Sequence, residues 1–171
     1  VMTPYLFQKI IGLSAQDYGL LSIAIGVPYW FGAFLSAKLV KKFGTRLFML
    51  TGAAIIIITG IFLLIFALSI LHINIYIVLI PLCFAAFGQA LLWSNAMAHS
   101  LQNFPDFAGV ASAFFSCIQL VIAAIIAAIL SLFTDKTQMP ISITILVVGI
   151  LSALITILAF WVKTKKSILK R

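Results

Sequence analysis

Five stretches of the chain, 17–37, 47–70, 75–97, 108–133 and 140–162, hold no charged side chain apart from Asp17 at the edge of the first. Each has at least the roughly 20 residues a helix needs to cross the hydrocarbon of a bilayer. Nothing in the sequence constrains the fold more. Hydrocarbon offers the backbone no hydrogen-bond partner, so apolar stretches of this length span as helices. The composition agrees, with 64% hydrophobic and 8% charged residues, where soluble domains carry about 25% charged. The sequence therefore predicts an all-α integral membrane protein with five transmembrane helices. The net charge of +8 does not point to nucleic acid, because the basic residues sit at the ends of apolar runs rather than in one patch.

The connections are short. Residues 1–16 are too polar and too few to span, and Ser14 with Asp17 three residues on has the form of a capping box that opens a helix. Residues 38–46 read as a tight basic loop carrying Lys38, Lys41, Lys42 and Arg46. Leu71 to Asn74 leaves so little chain that the second and third spans must be antiparallel neighbours, with His72 a solvated turn residue. The polar connector at 98–107 contains Pro105-Asp106, a helix restart with Asp106 near the N-cap. A short loop follows at 134–139 and a basic tail at 163–171. Five spans put nine Lys and Arg residues of the basic loop and tail on one side, against Lys9 and Lys136 on the other. The positive-inside rule then expects the 38–46 and 98–107 loops and the C-terminus in the cytoplasm, and the start of the chain outside. The basic loop and tail fix this orientation and meet anionic lipid. No initiator stands at position one and no basic leader precedes an apolar core, so the chain is expected to be a fragment without a signal peptide.

The polar side chains that could meet a ligand gather between Gly88 and Gln119. Gln89 and Trp93, four apart, share a helical face, with Ser94 and Asn95 beside them; Ser112, Ser116 and Gln119 share another. Gln89, Trp93 and Gln119 are the substrate-cavity candidates. Tyr29 and Trp30, next to a mid-span Pro28, are outer candidates. The bland reading of a lone Gln or Ser in a span is interhelical hydrogen bonding. Gly26, Pro28, Pro81, Gly88, Ser112 and Ser116 are read as helix-packing or bending positions. Ser22, Gly26, Ala33 and Ala37 form a small-residue face suited to close helix contact. The Ile-rich second span suits lipid, whereas the line Ser112, Ser116, Gln119, Ala123, Ala127 is expected to be buried against other helices.

Cys83 and Cys117 fall inside apolar runs and read as small hydrophobes. There is no cluster of metal ligands, no cofactor motif and no carboxylate pair, and His72 and His99 stand alone at span ends, so no enzyme, metal or cofactor is expected. The three acids, Asp17, Asp106 and Asp135, fall in loops or caps. A proton-coupled carrier needs a titratable group inside the membrane, which such a protein would have to supply elsewhere.

Against this background the sequence resembles the C-terminal half of a major facilitator superfamily transporter. It is most similar to the bacterial drug-resistance branch known for bicyclomycin and chloramphenicol efflux (Bcr/CflA type). The resemblance rests on ordered marks: Thr3-Pro4-Tyr5, Gly12-Leu13-Ser14 and Tyr18-Gly19; then Ala37-Lys38-Leu39-Val40, Lys42-Phe43-Gly44 and Arg46. Asn95-Ala96-Met97-Ala98, Phe104-Pro105, Ala108-Gly109, Ala111-Ser112-Ala113 and Gln119 complete them. It implies that residues 1–16 are the end of helix seven with an external loop, and that the five spans are helices eight to twelve of a twelve-helix fold in the bacterial inner membrane. It further implies a substrate held near the midplane between two halves, with proton-coupled export of small, partly apolar compounds. The partners it implies are the other half of the same transporter, a small-molecule substrate, protons handled by that other half, and membrane lipids. Where the family shows a Pro before Asn-Ala, this chain has Ser94 after Trp93. The alternatives are a carrier for a metabolite such as a sugar, amino acid or siderophore, and a membrane scaffold that transports nothing.

Overall fold

The computed structural model describes residues 14–69, 75–102, 104–131 and 139–168. These form five long helices: α1 (Ala15–Phe43), α2 (Thr45–Ser69), α3 (Ile75–Leu101), α4 (Ala108–Ser131) and α5 (Met139–Ile168). All five are long and apolar enough to cross a membrane, and the protein is a multi-pass membrane protein. His72 and Asp135 lie outside the described residues.

α1 starts where the capping box places it. The Ser14 hydroxyl oxygen accepts from the Asp17 backbone N–H at 3.1 Å and donates to the Asp17 carboxylate at 2.7 Å, satisfying a donor that the first turn would otherwise leave open. The basic stretch is not the loop expected for 38–46. α1 continues through Lys38, Lys41 and Lys42 to Phe43, and Gly44 alone separates it from α2. Nothing between Ala37 and Phe43 breaks a helix, and cations in the last turn meet the negative end of its dipole. Gly44 turns the chain with φ 82 and ψ 151, its N–H donating to the Val40 carbonyl at 2.8 Å. That region of the backbone map belongs almost solely to glycine. At the other polar connector, Pro105 opens a 3-10 turn (Pro105–Phe107) that runs into α4, so the restart falls where the sequence places it. Asp106 sits in the first turn of that element, and Phe104, not Asp106, is its N-cap.

α2 is the centre of the bundle: its Ile58, Ile61 and Ile65 are exposed, as expected of side chains that face lipid, but its other side is enclosed. Phe48, Gly52, Ala53, Ile56, Thr59, Gly60 and Leu63 are buried, a stripe at three- and four-residue spacing. The reason is the glycines. Gly52 lies so close to α3 that an added Cβ would stand 2.6 Å from the Gly88 carbonyl oxygen, and one at Gly60 would stand 2.7 Å from the Leu146 backbone of α5. Small residues let helix backbones approach, which replaces the hydrophobic drive that lipid removes. The branched side chains beside them are then enclosed: Ile55 meets Gly88, and Ile56 and Ile57 meet Gly149 of α5.

α2 is antiparallel to both of these neighbours, since residue numbers fall on α3 and α5 as they rise on α2 (Gly52–Gly88; Gly60–Leu146, Ile57–Gly149, Arg46–Phe160). α1 packs in parallel on α3, through Ala24–Cys83, Phe31–Phe87, Gly32–Ala90 and Ser36–Asn95. The face that α1 uses holds Gly32 and Ser36, not the small-residue face expected. Ser22, Gly26 and Ala37 are exposed, and a Cβ at Gly26 would meet nothing within 4 Å. Both helices run unbroken through Pro28 and Pro81.

α4 is the least enclosed helix. No described residue of it is buried, which corrects the expectation that its small and polar line packs inside the bundle. Ser112, Ser116, Ala123 and Ala127 are half-exposed and Gln119 is exposed. The chief contact of α4 with another long helix is with α3. The hydroxyls of Ser112 and Ser116 stay in their own helix, donating to Gly109 O at 2.8 Å and Ser112 O at 2.9 Å.

Candidate functional site

The five cavity candidates separate into three groups. Gln89 is the fifteenth of 27 residues in α3 and Gln119 the twelfth of 24 in α4. Both amides thus sit at the middle of their helices, and both are exposed. A primary amide that faces hydrocarbon with no partner loses several kcal/mol of hydration, of order 4–8 on a water-to-cyclohexane scale. Exposed mid-helix glutamines are therefore the side chains of this chain least suited to lipid.

Trp93, one turn along from Gln89, is half-buried and lies against Phe115 of α4, ring centroids 5.0 Å apart and planes at 40°. This offset, tilted contact is favourable beyond the area it covers, and it ties α3 to α4 just below the glutamine. Ser94 beside it donates to Ala90 O at 2.7 Å, within its own helix.

Tyr29 and Trp30 lie on α1, 38% and 65% exposed. Trp30 is two residues from Gly32 and so points away from the face that α1 lays on α3. Its ring stacks on Phe34 at 5.6 Å with planes 14° apart, and it makes no ring contact with Trp93.

Two features escaped the sequence reading. Asn95 is 4% exposed, and its Nδ2 donates both to Ser36 Oγ of α1 and to Leu91 O, each at 2.6 Å. It is a polar bond buried between two spanning helices. The cue was present, since an Asn inside an apolar run must find a partner, but Ser36 could not be named without the parallel pairing of α1 and α3. The second is a cleft of 410 Å³ between the end of α3 and the start of α4, walled by Met97, Leu101, Phe104, Phe107, Phe114 and Phe115. Phe115 is shared by this cleft and by the Trp93 contact. In the sequence the cleft's signal is the connector's aromatic residues, Phe104 and Phe107.

The helix-packing candidates divide as well. Gly88 is a contact point, with Gly52 O 2.9 Å from where its Cβ would be; Gly26 is not. Pro81 is buried and Pro28 half-buried. At the Arg46 end, the His99 ring meets the edge of Phe160 at 5.5 Å, and the Arg46 guanidinium lies 5.8 Å over the same Phe160 ring. His99 Nε2 is buried and has no hydrogen-bond partner. Asp17 and Asp106 are exposed at helix ends, so neither is a titratable group inside the bundle.

Comparison with known proteins fits this architecture. The sequence description of the Major Facilitator Superfamily matches residues 1–171. The chain is 24% identical, over 162 residues, to the bicyclomycin resistance protein homolog of Haemophilus influenzae, a match covering 95% of this chain. The chain spans 39% of the length of that relative. No solved structure matches it. With five spanning helices and the family's sequence pattern along its whole length, the chain belongs to the major facilitator superfamily of membrane transporters.

Proposed function

We propose that this chain is the C-terminal half of a secondary active transporter, with α1 to α5 as helices eight to twelve of twelve, that exports small, partly apolar compounds in exchange for protons. The observation that carries the reading is the pair of mid-helix amides, Gln89 and Gln119, on faces that none of the described helices covers. In a transporter of two halves such faces border the central cavity, where an amide finds water or substrate instead of acyl chains. Trp93 beside Gln89 adds an aromatic surface, and a few placed polar groups among many apolar ones is the usual make-up of a small-molecule site. Tyr29 stands as an outer candidate, and Pro28, Pro81 and Gly88 as places where helices can bend or slide.

Export of toxic compounds is suggested by the name of the Haemophilus influenzae relative, a resistance protein homolog. The coupling proton belongs to the other half, since the acids Asp17 and Asp106 lie at helix ends and the spans carry none. The same reading places the protein in the bacterial inner membrane, with the Lys38–Arg46 turn and the C-terminus in the cytoplasm.

Replacing Gln89 and Gln119 by Ala in the intact transporter tests the assignment. The expected result is a change of about tenfold in the concentration of toxic compound the cells tolerate, equivalent to about 1.4 kcal/mol of lost binding. Unchanged tolerance at normal expression would remove both residues from the cavity. A panel that also follows uptake of labelled sugars, amino acids and siderophores distinguishes drug export from metabolite transport.

A further inference from the structure

α1 has two faces. One lies on α3 through Gly32 and Ser36; on the opposite side Trp30, Phe34 and Lys38 follow one another at four-residue intervals. Trp30 stacks on Phe34 at 5.6 Å, and the Lys38 ammonium lies 4.7 Å from the centroid of the same Phe34 ring. All three are exposed, Trp30 by 65% and Phe34 by 44%. Because α1 stays helical to Phe43, Lys41 comes eleven residues after Trp30, three turns on, and stands almost directly in line with it. The ladder therefore ends in two cations, and Lys42 Nζ, 5.4 Å from the Phe43 ring, follows beside them.

Near these cations α1 itself carries no carboxylate. Asp17 is at the far end of α1, some 21 residues or about 32 Å away along the helix. The rings run the other way, about 12 Å from Lys38 to Trp30 along the axis. A cation pair at the end of a spanning helix, continued by an apolar aromatic shelf into the bilayer, matches the shape and charge of one molecule.

We propose that this face of α1 is a binding site for an anionic phospholipid, its phosphate held by Lys38 and Lys41 and its acyl chain lying along Phe34 and Trp30. The Phe34 ring serves both parts, fixing the Lys38 ammonium by a cation–π contact and offering its apolar side to the chain. A zwitterionic lipid carries a compensating cation on its head and gains less from two lysines. The site does not depend on what the transporter carries or in which direction.

Native mass spectrometry of the intact protein, equilibrated in micelles with equal phosphatidylglycerol and phosphatidylcholine, reads the site directly. The wild type is expected to retain phosphatidylglycerol in preference. K38Q should weaken that retention about fivefold and K38Q/K41Q about 25-fold, taking about 1 kcal/mol for each cation near the surface. K165Q/K166Q, which removes the same charge from the tail, should leave it unchanged. Phe34→Leu keeps the bulk but removes the ring, and should weaken retention by severalfold; K38R should restore it. Equal retention of the two lipids by the wild type overturns the proposal. So does an equal loss in the tail variant, which would mean diffuse charge, or full retention by Phe34→Leu, which would mean a headgroup contact with no built shelf.

Discussion

At the scale of single residues, the most consequential contact is the bond from Asn95 to Ser36. Both side chains are nearly sealed from solvent, so neither can exchange its partner for water. Interhelical hydrogen bonds in membranes average about 0.6 kcal/mol and reach about 1.7. Ser36→Ala should cost about 1 kcal/mol, and Asn95→Ala about 2 kcal/mol, since it also empties space and leaves Ser36 unpaired. Thermal unfolding in detergent, run as a double-mutant cycle, should find the two losses coupled, the double variant being little worse than Asn95→Ala. Strict additivity would mean that the two side chains act separately. Two other buried hydroxyls behave differently: Thr59 and Thr156 donate to carbonyls in their own helices, Ile55 O at 2.8 Å and Ser152 O at 2.7 Å.

At the scale of elements, the glycines decide which helices touch. Gly52→Ala drives a methyl group into the Gly88 carbonyl and the Leu92 backbone, both closer than 3 Å to the new atom. Backbone on the far side cannot move aside, so α2 and α3 must separate, at a cost of about 1–3 kcal/mol or more. Gly26→Ala adds the same methyl group to open space and should be neutral or stabilising by up to about 1 kcal/mol, as expected for Gly to Ala within a helix. Melting temperatures of the two purified variants compare them; equal effects would contradict the assignment of α2 as the central helix.

The same pair shows what was legible in the sequence. The five helices and their order could be read, because an uncharged run of twenty residues has only one use. Their faces could not. Apolar residues surround every helix, so no amphipathic stripe points inward, and small residues recur at similar spacing on Gly26's exposed face and on Gly52's buried one. The charges of the Lys38–Phe43 segment suggest a loop in water, although its backbone has no reason to leave the helix before Gly44. For the candidate site, Gln89, Trp93 and Gln119 stood out as polar or amphipathic groups inside apolar runs. Their partner Phe115, and the seclusion of Asn95, required the arrangement of helices that only the structure supplies.

At the scale of the whole molecule, α2 joins α3 and α5 into a firm core, α1 lies on α3, and α4 is held at one side chiefly through α3. The amides at mid-depth of α3 and α4 face away from that core, and the proposed transport function turns on what they face. The measurement that tests this most directly replaces Gln89 and Gln119 one at a time by Cys in the intact transporter, with Cys83 and Cys117 changed to Ala. Each variant is then treated in membranes with a membrane-impermeant thiol reagent. A cavity lined by these positions predicts labelling at both, slowed when a transported compound is present; no labelling at either, under conditions that label a loop cysteine, would place them in lipid and contradict the account.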